Sequence, residues 1–204
     1  MSDDIFGPFV FDVEVGWAAE VTLRRWLPTY LALMTRTLEK NDIQIGYLPE
    51  PGSYVHTADA SYFPEDQPPV CVIGVPGTVQ TPARDSRNYR AVWNLYVSVF
   101  VSANDRASTE ALAKHYATAV RMAIVQHRSL ENFAEAVTWA GTSYAYKEAD
   151  RDVRTLGSCR NRFLVDVRDV VQQFAGLLEP TLDEPGAWPL ATSVKTALDP
   201  EILP

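Results

Sequence analysis

The chain has 204 residues, of which 47% are hydrophobic and 22% charged, and its formal net charge is −8 at pH 7. This length accommodates one domain with a substantial core, or one domain with extended arms, and the composition excludes a wholly disordered chain. The acidic balance argues against a protein that coats nucleic acid, because phosphate binding needs clustered Lys and Arg, but it is compatible with a protein that surrounds DNA without gripping it.

The first part of the chain predicts two helical pieces. A helical pattern runs from about Val13 to Trp26 and is interrupted at Leu27-Pro28, because proline inside a helix lacks an amide donor and clashes with the preceding turn. Proline is tolerated as the first residue of a new or kinked helix, so helix is expected again from Pro28 to Lys40.

Residues 43–69 predict an irregular loop. The residues that exclude a continuous helix or a central strand are Pro49, Pro51, Gly52, Pro64, Pro68 and Pro69. Aromatic residues make the segment different from a free linker, and a long ordered loop is usually functional. Two interpretations stay open: a loop fixed to the core by its aromatic residues, or a loop that contacts another subunit, with Tyr54 and Phe63 as candidate contacts.

The remaining part of the chain predicts four strands, which are Val70–Val75, Tyr89–Ser102, Ala136–Lys147 and Arg160–Val171. The first is expected to end at Pro76-Gly77. In the second, apolar residues alternate with mixed ones, so that one face of the strand is dry. Asn104 or Asp105 can cap an amphipathic helix that follows and reaches Gln126. Gly141 predicts a bulge in the third strand.

The polar segment from Thr78 to Asn88 predicts a mobile hairpin connection between the first two of these strands. It is a second candidate for contact with another subunit, with Thr81 and Arg84 as the candidate residues.

These elements predict an α+β fold, in which a largely antiparallel four-stranded sheet is packed by the central helix and the N-terminal helices. Residues 1–175 are expected to form this single domain. Residues 176–204 are expected to form an extended, proline-rich, acidic C-terminal arm that cannot build a core of its own. Trp188 and Leu190 are the strong apolar residues of the arm and the candidates for a contact with a neighbouring subunit.

The N-terminus and the cysteines bear on the cellular location. Residues 1–4 lack the basic and apolar regions of a signal peptide, and no apolar stretch approaches the roughly 18 residues that a membrane span needs. Cys71 and Cys159 are too few for a disulfide framework or a zinc ribbon, and we expect both to be reduced and packed. The sequence therefore predicts a soluble protein, made in a cytoplasm and without a membrane partner.

No pattern in the chain predicts catalysis, a cofactor or a metal site. His115 and His127 share the predicted helix but lie about 120° apart around it, so they cannot hold one ion. Asp150 and Asp152 resemble the start of a calcium loop, but the further ligands and the central glycine are missing. No nucleophile elbow, phosphate loop or dinucleotide fingerprint occurs. We therefore expect a non-enzymatic protein that works by binding or assembly.

Three basic residues, Lys114, Arg121 and Arg128, repeat every seven residues on one side of the predicted helix. The simpler interpretation is a solvated helix face, and the alternative is a surface that meets an acidic partner. Trp26, Trp93 and Trp139 are expected to lie mostly in the core, and the alternative for some of them is an interface anchor, because aromatic residues are enriched at interfaces.

Several stretches resemble one known family by their order and spacing: Trp26–Leu31, Phe63–Pro69, Tyr89–Trp93, Val101–Ala103, Tyr116–Arg121, Gln126–Leu130 and Phe133. Together they resemble the tail-terminator proteins of long-tailed (siphovirus-type) phages of actinobacteria. The resemblance covers residues 17–176, which is most of the chain.

The resemblance implies helices packed against a sheet and assembly into a hexameric ring. That ring would cap the head-proximal end of the phage tail tube, stop tube polymerisation and provide the joint to the neck and head. The implied partners are other copies of the chain, the tail tube protein and a neck or head-completion protein, and DNA would pass through the channel without specific binding. The implied location is the virion, with the host cytoplasm during assembly.

Three alternatives stay open. The first is a head-completion or head–tail connector protein of the neck, which would also form a ring without chemistry. The second is a small enzyme or ligand-binding domain, which would need a deep pocket with converging ionisable groups. The third is a free assembly chaperone that is absent from the mature particle.

Overall fold

The structure is a computed structural model that describes residues 12–41, 48–57, 67–85, 88–148 and 155–168. Its elements in chain order are α1 (Asp12–Lys40), β1 (Ser53–His56), β2 (Val70–Thr78), β3 (Ala83–Asp85), β4 (Asn88–Ala103), α2 (Arg106–Gln126), β5 (Ala136–Glu148) and β6 (Thr155–Val167). The predicted boundary near residue 175 and the C-terminal arm lie outside the described residues.

The strands form one open sheet with the order β1-β2-β4-β6-β5, and β3 pairs with the first residues of β4. Every neighbouring pair is antiparallel except β1 with β2, which is parallel. The predicted α+β fold with a largely antiparallel sheet is therefore confirmed. The described sheet has six strands, where four were expected.

The N-terminal part is one helix, so the predicted interruption at Leu27-Pro28 is wrong. α1 runs for 29 residues with Pro28 inside it. Pro28 has no amide hydrogen to donate to the carbonyl of Arg24, so this turn of the helix lacks one backbone hydrogen bond. Leu23, Leu27 and Leu31 are all buried around this point. Their packing outweighs the local cost of the proline, which is about 3 kcal/mol.

The expectations for residues 43–78 are corrected in two places. β1 lies inside the segment that was expected to be irregular, and it is an edge strand, where neighbouring prolines are tolerated. β2 does not end at Pro76-Gly77 but continues to Thr78, because the register against β4 shifts between Gly74 and Gly77. This irregularity accommodates a proline that could not pair in a regular strand.

The later strands follow the predictions closely. Within the segment from Thr78 to Asn88, β3 pairs antiparallel with the start of β4, as expected of a hairpin, and the mobility of this connection stays a prediction. In β5 the register shifts between Trp139 and Gly141, and Gly141 has a φ of 146°, so the predicted bulge is confirmed. β6 starts at Thr155 rather than at Arg160, and its predicted end beyond residue 168 lies outside the described residues.

One side of the sheet carries the main core, which both helices cover, and a small cluster of Val70, Val72 and Phe100 is buried on the other side. The alternation predicted for β4 is confirmed, because its inward side chains Leu95, Val97, Val99 and Val101 are buried. α2 begins after Asp105, whose carboxylate accepts a hydrogen bond of 2.8 Å from the amide of Ser108. Most of the apolar stripe predicted on α2 is buried as well: Tyr116, Ala119, Val120, Ala123 and Ile124. Neither described helix is apolar over a length that would cross a bilayer.

Cys71 and Cys159 lie on either side of Val99 in the sheet, on β2 and β6. Both are free and buried, as expected. Burial raises the pKa of the Cys71 thiol and raises that of Cys159 to about 12, so both stay protonated at neutral pH.

The other side of the sheet carries polar pairs that join β4 to β6. Arg90 forms an ion pair with Asp166, with its Nε 2.7 Å from Oδ1. Arg162 donates to Asn94 at 2.8 Å. The hydrogen bond from Arg90 holds the pKa of Asp166 below its ordinary value of 3.8.

The first prediction concerns the close approach of β1 to β2. A methyl carbon at Gly74 would lie 2.8 Å from the backbone oxygen of Thr57, so Gly74→Ala should lower the free energy of unfolding by about 1–3 kcal/mol. Gly52→Ala is the matched control, because nothing lies within 4 Å of its added carbon, and it should cost nothing. Urea denaturation measures both, and an equal loss in the two variants would contradict this packing.

The second prediction concerns the Arg90–Asp166 pair. Because the folded pKa of Asp166 lies below 3.8, the pair stabilises the fold fully above that pH and is lost as pH falls through the folded pKa. Urea unfolding at pH 6, 4 and 3 should show a stability difference between the wild type and Asp166→Asn that shrinks as pH falls. Glu135→Gln removes only an exposed pair with Arg168 at 3.8 Å and should leave the profile unchanged. Parallel profiles for the wild type and Asp166→Asn would be inconsistent with the pair.

Candidate subunit-contact surfaces

The two edges of the sheet carry different groups of exposed apolar side chains. Among the described residues, the large apolar side chains with high exposure are Val13, Trp17, Val21, Leu33, Val79, Val125, Trp139 and Tyr144. Three of them lie on β5 and the adjoining part of α2, and three lie on the first half of α1 beside β1. Large side chains exposed together in this way often mark an interaction surface.

The first group is the aromatic shelf, which we define as Trp139 and Tyr144 on β5 with Arg121 and Val125 on α2. The two aromatic side chains are 41% and 43% exposed, although they point to the side of the sheet that the helices cover. They are exposed because β5 is an edge strand and α2 packs mainly on β4 and β6. The Arg121 guanidinium lies 4.8 Å from the centroid of the Trp139 ring, which is a cation–π contact.

A chain of hydrogen bonds holds Trp139 in place. Its indole N–H donates to Oγ1 of Thr142 at 3.2 Å, and that hydroxyl donates to Oδ1 of Asn161 at 2.6 Å. The side-chain amide of Asn161 donates to the carbonyl of Ala117 on α2 at 3.0 Å. Asn161 is fully buried, so the chain connects the shelf to the interior of the domain.

The bulge at Gly141 makes this chain of hydrogen bonds possible. In a regular strand, residues three apart point to opposite sides of the sheet. The register shift instead places Trp139 opposite Phe163 and Thr142 opposite Asn161, and both of these partners are buried on the helix side. Trp139 and Thr142 therefore point the same way. The left-handed φ of Gly141 is the local feature that permits the shift.

The second group is the α1 ridge, which we define as Val13, Trp17 and Val21. Their exposures are 50%, 52% and 53%, and their spacing of four residues places them on one side of the helix. A groove of about 170 Å³ adjoins Val13, and its lining residues are Asp12, Val13, Gly16, His56, Thr57, Ile73 and Val75.

Contacts with β1 place the α1 ridge at the edge of the sheet. Oε2 of Glu20 lies 2.5 Å from Nε2 of His56, and the Arg24 guanidinium lies 4.2 Å from the centroid of the Tyr54 ring. Burial raises the pKa of Glu20, but the hydrogen bonds from His56 and Arg24 outweigh this and hold it below its ordinary value. Gly16 allows this close approach, because a methyl carbon there would lie 2.9 Å from Nδ1 of His56 and the imidazole would have to shift.

The predicted contact residues are spread over several elements. Tyr54 is half-buried on β1, beneath Arg24 and next to the α1 ridge. Thr81 is exposed before β3, and Arg84 lies on β3, where its backbone pairs with Tyr89. The predicted contacts that lie outside the described residues are Phe63, Trp188 and Leu190.

Sequence reasoning did not identify either surface as a whole. Trp139 does not lie in the core, so of its two interpretations the core placement is wrong and the interface anchor stays a prediction. Lys114 and Arg128 are exposed, as expected of a solvated helix face, but Arg121 is half-buried against Trp139. The sequence signal for the shelf was Gly141, because a bulge in an edge strand changes the direction in which the neighbouring side chains point.

The described residues hold no group of three or more His, Cys, Asp or Glu that could bind a metal ion. The two histidines of the predicted helix have different neighbours. His115 contacts the carbonyl of Ala111, and His127 stacks on Trp26 with ring centroids 3.9 Å apart. The calcium-like residues Asp150 and Asp152 lie outside the described residues. A second cavity, of about 190 Å³, is lined by Pro49, Pro68, Pro69, Val101, Ser102, Leu112 and Tyr116.

Comparison with known proteins gave likenesses among solved structures but none among family models or curated proteins. No model of a protein family matches the chain, and no curated protein matches it. Among solved structures, the chain is similar to a chain from the virion of a native gene transfer agent (GTA) particle. The two are 16% identical, the match covers 65% of this chain and 91% of that chain, and the TM-score is 0.37. A TM-score of this size does not establish a common fold.

The third prediction tests the hydrogen bonds beneath the shelf. Asn161→Ala removes both hydrogen bonds of a fully buried amide, the one with Thr142 and the one with Ala117, and should lower the free energy of unfolding by about 2–3 kcal/mol. Asn94→Ala is the matched control, because it removes an exposed hydrogen bond with Arg162 and should cost less than about 1 kcal/mol. Urea denaturation measures the free energy of unfolding of both variants. Similar losses would show that the buried hydrogen bonds of Asn161 stabilise the fold no more than the exposed one of Asn94.

Proposed function

We propose that this protein is a structural component of a phage virion, and specifically a tail terminator. Copies of the chain would form a hexameric ring that caps the head-proximal end of the tail tube, stops tube polymerisation and provides the joint to the neck and head. The observation that carries the proposal is the presence of two different exposed surfaces, the aromatic shelf and the α1 ridge, at opposite edges of the sheet.

A closed ring has a specific geometric requirement. Each copy must use one patch toward the copy ahead and a different patch toward the copy behind, which is a heterologous contact. A two-fold dimer, in contrast, uses one self-complementary patch. The aromatic shelf and the α1 ridge differ in composition and lie at opposite edges of one sheet, as a ring subunit requires. The resemblance to tail terminators in the sequence supports the same assembly.

The mechanism in this proposal is geometric rather than chemical. One face of the ring presents to the tail tube the kind of surface that a tube subunit presents, so the ring docks on the last tube layer. The opposite face lacks that surface, so no further tube subunit adds, and a neck or head-completion protein binds there instead. The net charge of −8 suits a channel through which DNA passes, because an acidic wall repels phosphate.

The fourth prediction concerns the location of the protein in the particle. A tagged chain should be labelled by gold at one end of free tails, opposite the tip, and the purified chain should form hexameric rings in negative-stain images and native mass spectra. Particles assembled with the untagged chain are the control for unspecific label.

Other outcomes have definite meanings. Label on tailless heads alone would place the protein on the head-completion or connector side of the neck. An absence of label from both parts would contradict a virion component and favour the assembly chaperone. Saturable binding of a small ligand by the purified chain would favour the enzyme or ligand-binding alternative.

A further inference from the structure

We infer that neighbouring copies of this chain meet edge to edge, with the aromatic shelf of one copy packed on the α1 ridge of the next. The inference rests on the proposed ring and assigns residues to its subunit contact. The occupant of each surface is therefore a second copy of the same chain.

The residue types suit such a contact. Tryptophan, tyrosine and arginine dominate the binding energy of protein interfaces, and the aromatic shelf brings together Trp139, Tyr144 and Arg121. The α1 ridge offers the partner surface that such anchors need, because Trp17 and its aliphatic neighbours form one continuous apolar stripe.

The groove beside the α1 ridge is large enough to hold one aromatic ring from the shelf of a neighbouring copy. Its volume of about 170 Å³ exceeds the ~150 Å³ of a cavity that holds benzene. Trp139 is fixed by Thr142 and Arg121, so its ring stays on the shelf. Tyr144 lies further along β5, and we assign its ring to the groove of the neighbouring copy.

Charge favours contact between unlike edges over contact between like edges. Beside the aromatic shelf, α2 carries the basic residues Lys114 and Arg121, and Arg128 follows its end. The acidic residue on this side of α2, Glu110, is paired with Arg106 at 3.2 Å, so its charge is offset within the same copy. The α1 ridge begins beside Asp12 and Glu14, which are the acidic residues in the first turn of α1. Two shelves would repel each other, whereas a shelf and a ridge attract, and such complementarity sets which patches pair.

The basic residues near the α1 ridge do not make its charge positive. Arg24 is paired with Glu20 at 2.6 Å, and Arg25 is paired with Glu131 at 2.7 Å. Their charges are therefore offset by carboxylates of the same copy.

The order of the strands is consistent with the contact between shelf and ridge. Among the described strands, β5 pairs with β6 alone and β1 pairs with β2 alone, so the aromatic shelf and the α1 ridge lie beside the two outer strands of the described sheet. A contact between the shelf of one copy and the ridge of the next therefore brings the outer strands of neighbouring copies together.

The fifth prediction uses cysteine cross-linking on the full chain, which is favourable because Cys71 and Cys159 are fully buried and do not react. A mixture of Trp17→Cys and Tyr144→Cys should give a cross-linked dimer with a short bismaleimide, whereas each single variant alone should give none. The double variant should give a ladder that ends at the hexamer. Leu33→Cys is the matched control, because it is 54% exposed on the same helix but outside the α1 ridge, and it should not cross-link to Tyr144→Cys.

A charge exchange tests the same contact independently of cysteine chemistry. Arg121→Glu should weaken association at least tenfold, and adding Asp12→Arg to it should restore most of the loss. Far-UV circular dichroism establishes that each variant is folded.

The outcomes separate this contact from the proposed function. Rings that form while Trp17→Cys cross-links only to itself would overturn the assigned contact and leave the ring standing. Rings that form without a cross-link in the mixture would also overturn the assigned contact alone. Rings whose association is unchanged by Arg121→Glu would have the same meaning. A chain that stays monomeric in every variant would overturn the ring and the contact together.

Discussion

The pairing of β4 with β6 is the constraint on which the rest of the structure depends. The two strands pair without a break from Ala91 with Val167 to Ala103 with Thr155, and α2 covers their inward faces. Every other element takes its position from this pair, because β2 adds to the free side of β4, β5 adds to the free side of β6, and α1 packs beside α2. The inward side of the central strands is thus covered by the helices, whereas Trp139 and Tyr144 on the edge strand β5 stay partly exposed.

The buried residue Asn161 fixes the position of the aromatic shelf relative to the core. Asn161 lies in the middle of β6 and is bonded both to α2, at Ala117, and to β5, at Thr142. A buried amide that lost either partner would bear a desolvation penalty, so the positions of helix and edge strand are coupled. Trp139 is held at the end of this chain, and a rigid exposed aromatic side chain loses little conformational entropy when a partner binds it. This rigidity is the physical reason to assign the shelf to a subunit contact.

Much of the fold follows from local patterns. The alternation along β4, the apolar stripe of α2, the cap at Asp105 and the bulge at Gly141 were all predictable, because each depends on a periodicity or on the backbone preference of a single residue. The wrong predictions all gave a local rule too much weight. Pro28 did not end α1, because buried leucines hold the helix on both sides, and Pro76 did not end β2, because an irregular register accommodates it. The strand β1 could not be found from its prolines, since it exists only by pairing with β2.

The sequence by itself determined which residues are apolar, with what period, and hence the class of fold and the faces that form its core. Only the tertiary structure decided which apolar side chains stay outside that core. Trp139 and Phe163 are both aromatic residues on inward faces of strands, and they pair directly. Phe163 is fully buried and Trp139 is 41% exposed, because β6 lies beneath α2 and β5 lies at the edge. Exposure depends on the order of the strands and the position of the helices, which are relations between distant parts of the chain that no local pattern contains.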